Sequence, residues 1–311
     1  MNSLWGWIGF NLVVLAILAL DLGVLHKRAA KVSVREAATW STVWVALSLS
    51  FALAIYLTMG KQSGLEFLTG YLIEYALSVD NIFVFVLIFS YFNVPEKYQH
   101  RVLFWGIIGA LVLRGVMIVA GSALVTRFAW TLYIFGAFLV LTGIRMALQK
   151  DDAGYNPEHD PVLRLSRKLI PVSNEYHGDS FFVRTRDKNG KSGFAATPLF
   201  IVLLIVDTTD IVFATDSIPA IFAVTRDPFI VYTSNICAVL GLRALYFLLA
   251  GVVDKFIYLK LGLSIVLIFI GLKMLLEHFI HIPIVASLGV VGAVLGGSIW
   301  ASIKWPRMGT K

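Results

Sequence analysis

Residues 206–220 read VDTTDIVFATDSIPA and place three aspartates within ten positions of an otherwise apolar segment. The acids are Asp207, Asp210 and Asp216. A charged residue at the centre of a membrane helix costs about 2.5–3.5 kcal/mol on the insertion scale. If this segment crosses a membrane, its carboxylates must therefore meet a partner inside the protein.

The composition places the chain among integral membrane proteins. Of its 311 residues, 58% are hydrophobic and 14% are charged, and the mean hydropathy is +0.81. Soluble domains usually contain about 45–50% apolar residues. The single cysteine, Cys237, lies in an apolar run, which excludes a disulfide framework and a thiolate metal site within the chain.

Nine apolar windows are long enough to cross the hydrocarbon core of a bilayer, which takes about 20 residues. They lie near residues 4–25, 38–59, 66–92, 101–121, 129–148, 198–224, 229–251, 261–280 and 284–303. Basic residues follow the first window instead of preceding it, the reverse of a cleavable signal peptide. We therefore predict an all-α polytopic membrane protein with about nine transmembrane helices.

The positions of Lys and Arg predict the orientation, because these residues are retained in cytoplasmic loops. With the N-terminus outside, 20 of the 26 Lys and Arg residues fall in cytoplasmic segments and three fall in outer ones. This arrangement puts the C-terminus in the cytoplasm. The net charge of +7 is then a topology signal and gives no support for nucleic-acid binding.

One long hydrophilic stretch, residues 149–197, interrupts the apolar windows. Its segment PVLRLSRKLI (161–170) alternates apolar and basic residues, which suits a helix at the cytoplasmic interface. Its second half contains Asn189-Gly190 between two extended runs, a strong hairpin signal. The stretch is either a cytosolic cap or gate linker, or a passive connector.

Three pairs of segments indicate an internal repeat. EYALSVDNI (74–82) aligns with DIVFATDSI (210–218), LRGVMIVAG (113–121) with LRALYFLLAG (242–251), and GIRMAL (143–148) with GLKMLL (271–276). Spans 3–5 thus repeat as spans 6–8. Because each unit has an odd number of spans, the copies must enter the membrane from opposite sides. Such 3+3 inverted repeats are typical of secondary transporters that bind substrate near the bilayer midplane.

The repeat divides the chain into five parts. These are 1–65 with spans 1 and 2, 66–148 as the first repeat, 149–197 as the cytosolic loop, 198–282 as the second repeat, and 283–311 with span 9 and the C-terminal tail.

Five acids lie in the first spans of the two repeats, where together they would cost on the order of 15 kcal/mol if each met lipid. They are Glu74, Asp80, Asp207, Asp210 and Asp216, and the oxygens of Asn81, Thr209 and Ser217 lie close to them in sequence. Crowded carboxylates stay ionised when a cation neutralises them. Because no His, Cys or Met accompanies them, they favour a hard ion such as Mn²⁺, Mg²⁺ or Ca²⁺. The alternative is a protonated carboxyl network that joins helices.

Other polar residues within the spans are candidates for a gate or a counter-charge: Asp21, Arg114, Asn235 and Arg243. Long basic side chains near the ends of spans also snorkel to the interface. Pro219 would free the carbonyl of Thr215 as an extra ligand beside Asp216. In span 9, Gly292 and Gly296 form a GxxxG pair that indicates close helix packing, either within the chain or in a homo-oligomer.

Four stretches together resemble the TerC family, and most nearly its Alx-type members. They are EYALSVDNIFVF (74–85), VDTTDIVFATDSIPAIFAV (206–224), TSNICAVLGLRALYFLLAG (233–251) and LKLGLSIVLIFIGLKM (259–274). The resemblance implies a bacterial inner-membrane protein of nine helices, related to the LysE-type exporters and associated with Mn²⁺ efflux. The family's name comes from tellurite resistance.

Carried over by position, the family's acidic site falls on Glu74, Asp80, Asp210 and Asp216, with Asn81 and Ser217 beside them. The family usually has Glu where this chain has Asp207. The shorter side chain makes a direct contact between Asp207 and the metal less secure.

Three classes of function remain open. A secondary transporter that exports Mn²⁺ explains the repeat and the hard ligands, with the metal as cargo and no permanent cofactor. Coupled titration of the carboxylates favours exchange of the metal for protons. The second class is an intramembrane aspartyl protease. The absence of the G-x-G-D motif argues against it, so we predict that the chain is not an enzyme. The third class is a membrane scaffold or stress-response protein of the tellurite-resistance type.

Overall fold

The computed structural model describes residues 4–20, 33–128, 130–148, 171–173, 175–186, 192–250, 258–277, 279–280 and 282–305. The described residues form ten helices and two strands. The helices are α1 Leu4–Leu20, α2 Val34–Met59, α3 Lys61–Tyr91, α4 Glu96–Arg127, α5 Thr131–Leu148, α6 Pro198–Phe222, α7 Pro228–Leu240, α8 Leu242–Leu249, α9 Leu259–Leu276 and α10 Ile284–Lys304. The strands are β1 Phe182–Arg186 and β2 Ser192–Ala196.

Eight helical segments in the described part are long and apolar enough to cross a membrane, and the shorter apolar helix Leu4–Ala19 is a ninth candidate. One of the eight, Pro228–Leu249, consists of α7 and α8 with Gly241 between them. The prediction of an all-α polytopic membrane protein with about nine spans is confirmed. Residues 21–25 of the first predicted window lie outside the described part.

The helix α4 extends well beyond its predicted window at both ends. The window covers 101–121, whereas the helix runs over 32 residues from Glu96 to Arg127. At 1.5 Å per residue this is about 48 Å, compared with about 30 Å for the hydrocarbon core. Backbone hydrogen bonding continues into the polar interface, so apolar composition marks only the part of a helix that lies in hydrocarbon.

The segment formed by α7 and α8 is the centre of the bundle, because its apolar window is buried throughout. It packs mainly against α2, α3 and α4. Outward-facing side chains of α4 are apolar and exposed, for example Val112, Val116 and Val119. A surface of this kind is expected where lipid replaces water as the solvent.

Contacts between the two halves that the sequence predicted occur in corresponding pairs: α3 packs against α7 and α6 against α4, while α5 packs against α9. A Cβ added to Gly271 would lie 2.6 Å from the carbonyl oxygen of Gly136, and one on Gly143 would lie 2.8 Å from that of Ser264. The alignment pairs Gly143 with Gly271 and, at the same offset, Gly136 with Ser264. Each contact is therefore the counterpart of the other, as a two-fold relation requires. The inverted repeat itself stays a prediction.

The predicted hairpin is confirmed. Strands β1 and β2 pair antiparallel, with Arg184 opposite Phe194 and Val183 opposite Ala195. The turn and the predicted interfacial helix 161–170 lie outside the described residues. Side chains just before β1 hold the hairpin against the helices: Tyr176 Oη donates to the carbonyl of Phe92 at 2.7 Å, and Asp179 forms a salt bridge with Arg101.

The glycines of α10 face open space within the described structure. A Cβ added to Gly289, Gly292, Gly296 or Gly297 would have nothing within 4 Å. The GxxxG pair therefore does not mediate close packing among the described residues. A homo-oligomer through this helix stays a prediction.

Candidate functional site

The side chain of Arg114, on α4, is fully buried and joins acids from two other helices. Its Nε and Nη2 donate to the two oxygens of Asp210 on α6, at 2.8 and 2.7 Å. Its Nη1 donates to Oε1 of Glu74 on α3 and, at 3.2 Å, to Oδ1 of Asn235 on α7. The two parallel bonds to Asp210 form the bidentate geometry that gives arginine–carboxylate pairs their strength.

Asn235 completes the hydrogen bonding of Glu74. Its Nδ2 donates to Oε2 of Glu74 at 2.9 Å. All four carboxylate oxygens of Glu74 and Asp210 thus accept a hydrogen bond from Arg114 or Asn235. We call these four residues the Arg114 cluster. Its complete pairing matters because a buried charge without a partner costs several kcal/mol.

The charged members of the Arg114 cluster lie near the middle of long helices that are candidate membrane spans. Asp210 is at the centre of α6 (Pro198–Phe222), Glu74 near that of α3 (Lys61–Tyr91), and Arg114 near that of α4 (Glu96–Arg127). Exposure is 0% for Glu74, Arg114 and Asn235 and 2% for Asp210. The two predicted acidic motifs therefore meet at one place, across a guanidinium.

Asp207 is packed against glycines of α4. A Cβ added to Gly109 would lie 2.8 Å from both carboxylate oxygens of Asp207, and one on Gly106 would lie 3.6 Å from its Oδ1. Only a residue without a side chain leaves this space. Oδ1 is buried and has no hydrogen-bond partner among the described residues. Asp207 precedes Asp210 by three residues, about one helical turn on the same face.

Asp216 lies nearer the C-terminal end of α6 than Asp207 and Asp210 do, and it is half-buried. Its Oδ1 accepts a hydrogen bond from the hydroxyl of Thr142, on α5, at 3.3 Å. Ser217 and Asn81 are buried at 2% exposure each, and Ser217 Oγ has no partner among the described residues. The helix α6 continues through Pro219 to Phe222 without interruption.

Two predicted site residues fall outside the description. Asp80 belongs to α3, but its side chain is not described. Asp21, predicted as a gate residue, lies outside the described ranges altogether.

The described side chains include no group of three or more His, Cys, Asp or Glu residues close enough to hold a metal ion. Among the described side chains, the predicted acids therefore do not converge on one metal site. Glu74 and Asp210 meet at Arg114, while Asp216 contacts Thr142 instead. The metal-ligand role of Glu74, Asp80, Asn81, Asp207, Asp210, Asp216 and Ser217 stays a prediction.

Arg243 occupies the position aligned with Arg114 but has a different environment. It is largely buried, and its Nη1 lies 3.3 Å from Nε2 of His100, in the second turn of α4. It lines a small void of about 10 Å³ together with Asp210. A void of this size holds about one water molecule.

Sequence reasoning missed Thr142, Ser78 and His100. Thr142 contacts Asp216, His100 contacts Arg243, and Ser78 Oγ is buried without a partner among the described residues, one turn after Glu74 on α3. Single hydroxyl residues are common in membrane helices, where they bond to their own backbone, so their identity alone gives no signal. Ser78 could have been found, because it follows Glu74 by four positions on the same helix face.

These features define the class of the protein: a polytopic α-helical membrane protein with acidic and basic side chains paired between its helices, near the helix midpoints. The chain belongs to the TerC family of integral membrane proteins, whose family profile matches residues 59–308. The predicted resemblance is therefore confirmed.

Close relatives match nearly the whole chain. An uncharacterized membrane protein of Myxococcus xanthus, STKORF319, is 53% identical over 297 residues, which cover 96% of this chain and 91% of that protein. A protein of Escherichia coli strain K12 named "Putative membrane-bound redox modulator Alx" is 51% identical over 302 residues, covering 94% and 91%. An uncharacterized membrane protein of Rickettsia bellii is 44% identical over 297 residues, covering 96% of each chain. No solved structure gives a significant match.

Proposed function

We propose that the chain is a secondary transporter that exports Mn²⁺ across the bacterial inner membrane in exchange for protons, and that it is not an enzyme. The metal is cargo and binds the acids of α3 and α6. The N-terminus faces the periplasm and the C-terminus the cytoplasm. The bacterial origin of the relatives described above fits this location.

The meeting of Glu74 and Asp210 near the middle of their helices is the observation that carries the proposal. These acids belong to the first spans of the two predicted repeats, and both are buried near the middle of their helices. Inverted-repeat transporters bind substrate near the midpoint of such spans. Ionisable residues inside a membrane are costly and usually mark an ion pathway. Two carboxylates on separate helices can also be separated or joined by helix movement, which a transport cycle requires.

The oxygen ligands suit Mn²⁺, Mg²⁺ and Ca²⁺ in similar ways. The choice of Mn²⁺ follows from membership of the TerC family and from the efflux activity that the resemblance implies. The proton exchange follows from the number of acids, since carboxylates that interact titrate as a group.

A second function is favoured by the completeness of the Arg114 cluster. A fully paired, buried ion cluster is also what a structural device needs to fix the positions of α3, α4, α6 and α7. In that case the chain is a membrane scaffold or stress-response protein, and the acids serve folding alone. The name of the Alx relatives mentions redox modulation, but the single Cys237 of this chain cannot form an intramolecular disulfide.

Flux of ⁵⁴Mn into inverted membrane vesicles tests the two functions. We compare the native chain with Asp216→Asn and Asp80→Asn, with and without a pH gradient; Asp216 lies outside the Arg114 cluster. The control is Glu175→Gln, which also removes a carboxylate charge but at an exposed position before the hairpin. An exporter loses flux in the two site variants, keeps it in the control and responds to the gradient. Native flux no higher than in vesicles without the protein leaves the scaffold function. Equal flux above that background in all four proteins removes Asp80 and Asp216 from the transport site.

A further inference from the structure

The Arg114 cluster raises a question about the proposed transport site. Both oxygens of Asp210 and both oxygens of Glu74 accept hydrogen bonds from neighbouring side chains. A divalent cation would need these same oxygens as ligands. It would also be repelled by the guanidinium, because two cations at one site disfavour each other. Cargo and Arg114 therefore compete for Glu74 and Asp210.

We propose that Arg114 is a built-in counter-ion that competes with the transported cation for Glu74 and Asp210, and that Asp207 receives the guanidinium when the cation binds. The proposal rests on the proposed function and describes how the same site is regulated. In this arrangement Arg114 pairs with the two acids when no cation is bound. Binding of the cation is then coupled to movement between α4 and α6.

A displaced Arg114 needs a new anion, because a buried guanidinium without a partner is strongly unfavourable. Asp207 fits this role, since its Oδ1 is buried and has no hydrogen-bond partner among the described residues. The carboxylate also lies over Gly109, on the same helix as Arg114. Side chains in helices lean toward the N-terminal end. Arg114 therefore leans in the direction of Gly109 and Asp207, and the proposed movement of the guanidinium from Asp210 to Asp207 follows this direction.

The charges balance in the cargo-bound arrangement. A divalent cation neutralises Glu74 and Asp210, and Arg114 neutralises Asp207. Without Asp207, the displaced guanidinium would remain uncompensated.

Binding of Mn²⁺ to the full-length protein in detergent tests the competition. Free Mn²⁺ is measured by electron paramagnetic resonance for the native chain, Arg114→Gln, Arg114→Lys and the control Arg127→Gln, an exposed arginine at the end of the same helix. If the guanidinium occupies the site about nine-tenths of the time or more, its removal tightens binding by about tenfold or more. Lysine cannot form the bidentate contact, so Arg114→Lys gives a smaller gain. Unchanged or weaker binding in both variants overturns the proposal.

Arg114→Gln leaves two buried carboxylates without a cation, so the variant can fail to fold without metal. In that case the variant is purified with and without Mn²⁺. The competition predicts that it folds only with the metal, because the cation then replaces the guanidinium. Failure to fold with Mn²⁺, Mg²⁺ or Ca²⁺, together with native affinity in Arg114→Lys, counts against the competition.

A double-mutant cycle tests the role of Asp207. Asp207→Asn should weaken Mn²⁺ binding in the native background and have no effect in Arg114→Gln, because the displaced group is then absent. Equal weakening in both backgrounds makes Asp207 a direct ligand and overturns its assignment as receiver.

Failure of the proposed function gives a different result. If the native chain carries no ⁵⁴Mn flux but Arg114→Gln binds the metal more tightly, the competition stands and the transport function falls. If flux is present and the affinity of the Arg114 variants is unchanged, only the competition falls.

Discussion

The amide of Asn235 and the carboxylate of Glu74 face each other from α7 and α3, with Nδ2 donating to Oε2 at 2.9 Å. Asn235 also accepts a hydrogen bond from Arg114 and is the neutral member of the cluster. The central helix thereby participates in the ion pairing of the helices around it. The cluster joins four helices, which is why its loss should affect the whole bundle.

Replacement of Asn235 by leucine, which has a similar volume, should lower the free energy of unfolding by about 1.5–3 kcal/mol. The reason is that the buried charges of Glu74 and Arg114 each lose a hydrogen-bond partner. Denaturant unfolding in detergent measures the change. The control is Ser234→Ala, because among the described residues that hydroxyl bonds to the backbone of its own helix. A leucine variant as stable as the control would show that Asn235 contributes little.

Alanine at Gly271 should destabilise the contact between α5 and α9. Its Cβ would lie 2.6 Å from the carbonyl oxygen of Gly136 and 2.9 Å from the backbone nitrogen of Val140, so a helix must shift. Such overpacking usually costs about 1–3 kcal/mol. Gly292→Ala is the matched control, since its Cβ would meet nothing within 4 Å. Thermal unfolding that gives equal midpoints for the two variants contradicts this prediction.

The anchor of the hairpin should weaken at alkaline pH. Burial raises the pKa of the Tyr176 phenol above its ordinary value of 10.0. The neutral phenol is therefore favoured in the folded protein, and its stabilising contribution is complete below pH 10 and is lost as the pH rises through the raised pKa. The phenolate cannot donate to the carbonyl of Phe92, a hydrogen bond that contributes about 1 kcal/mol.

A spin label on Gly193→Cys, in a chain with Cys237→Ala, measures this change. Label mobility should increase above about pH 10, the ordinary range of tyrosine. With Tyr176→Phe the label should already be more mobile at pH 8, and its mobility should not change further with pH. If the chain with Tyr176 and the Tyr176→Phe variant showed the same alkaline transition, a group other than Tyr176 would cause it.

The sequence alone predicted the spans, the family, the hairpin and the meeting of two acidic motifs. These predictions depend on local patterns, namely apolar windows, an Asn-Gly turn and repeated segments. The partner of Asp210 could not be predicted in the same way. Arg114 is 96 positions away in sequence, and only helix packing decides which of several intramembrane cations reaches a given acid.

The two aligned arginines show this limit most clearly. Arg114 and Arg243 occupy corresponding positions, and sequence reasoning treated them alike as candidates for a counter-charge. In the structure Arg114 lies between Glu74 and Asp210, whereas Arg243 lies beside His100. The difference arises from the neighbouring helices, because α4 packs along α6 while α8 packs mainly against α2. The separation of Asp216 from the Arg114 cluster is likewise a matter of depth along α6.

Cysteine labelling should establish the orientation of the chain. The hydroxyl of Thr197, just before α6, donates to the carbonyl of Ser180, the residue after Asp179, at 2.7 Å. Arg226, beyond the end of α6, lies 3.7 Å from Glu277. Asp179 and Glu277 are both exposed and lie near opposite ends of α6. In a Cys237→Ala background, a membrane-impermeant maleimide should label Glu277→Cys in intact cells and Asp179→Cys only after permeabilisation, because basic segments stay in the cytoplasm. The reverse pattern would place the C-terminus outside and turn the proposed export into uptake for the same helix movements.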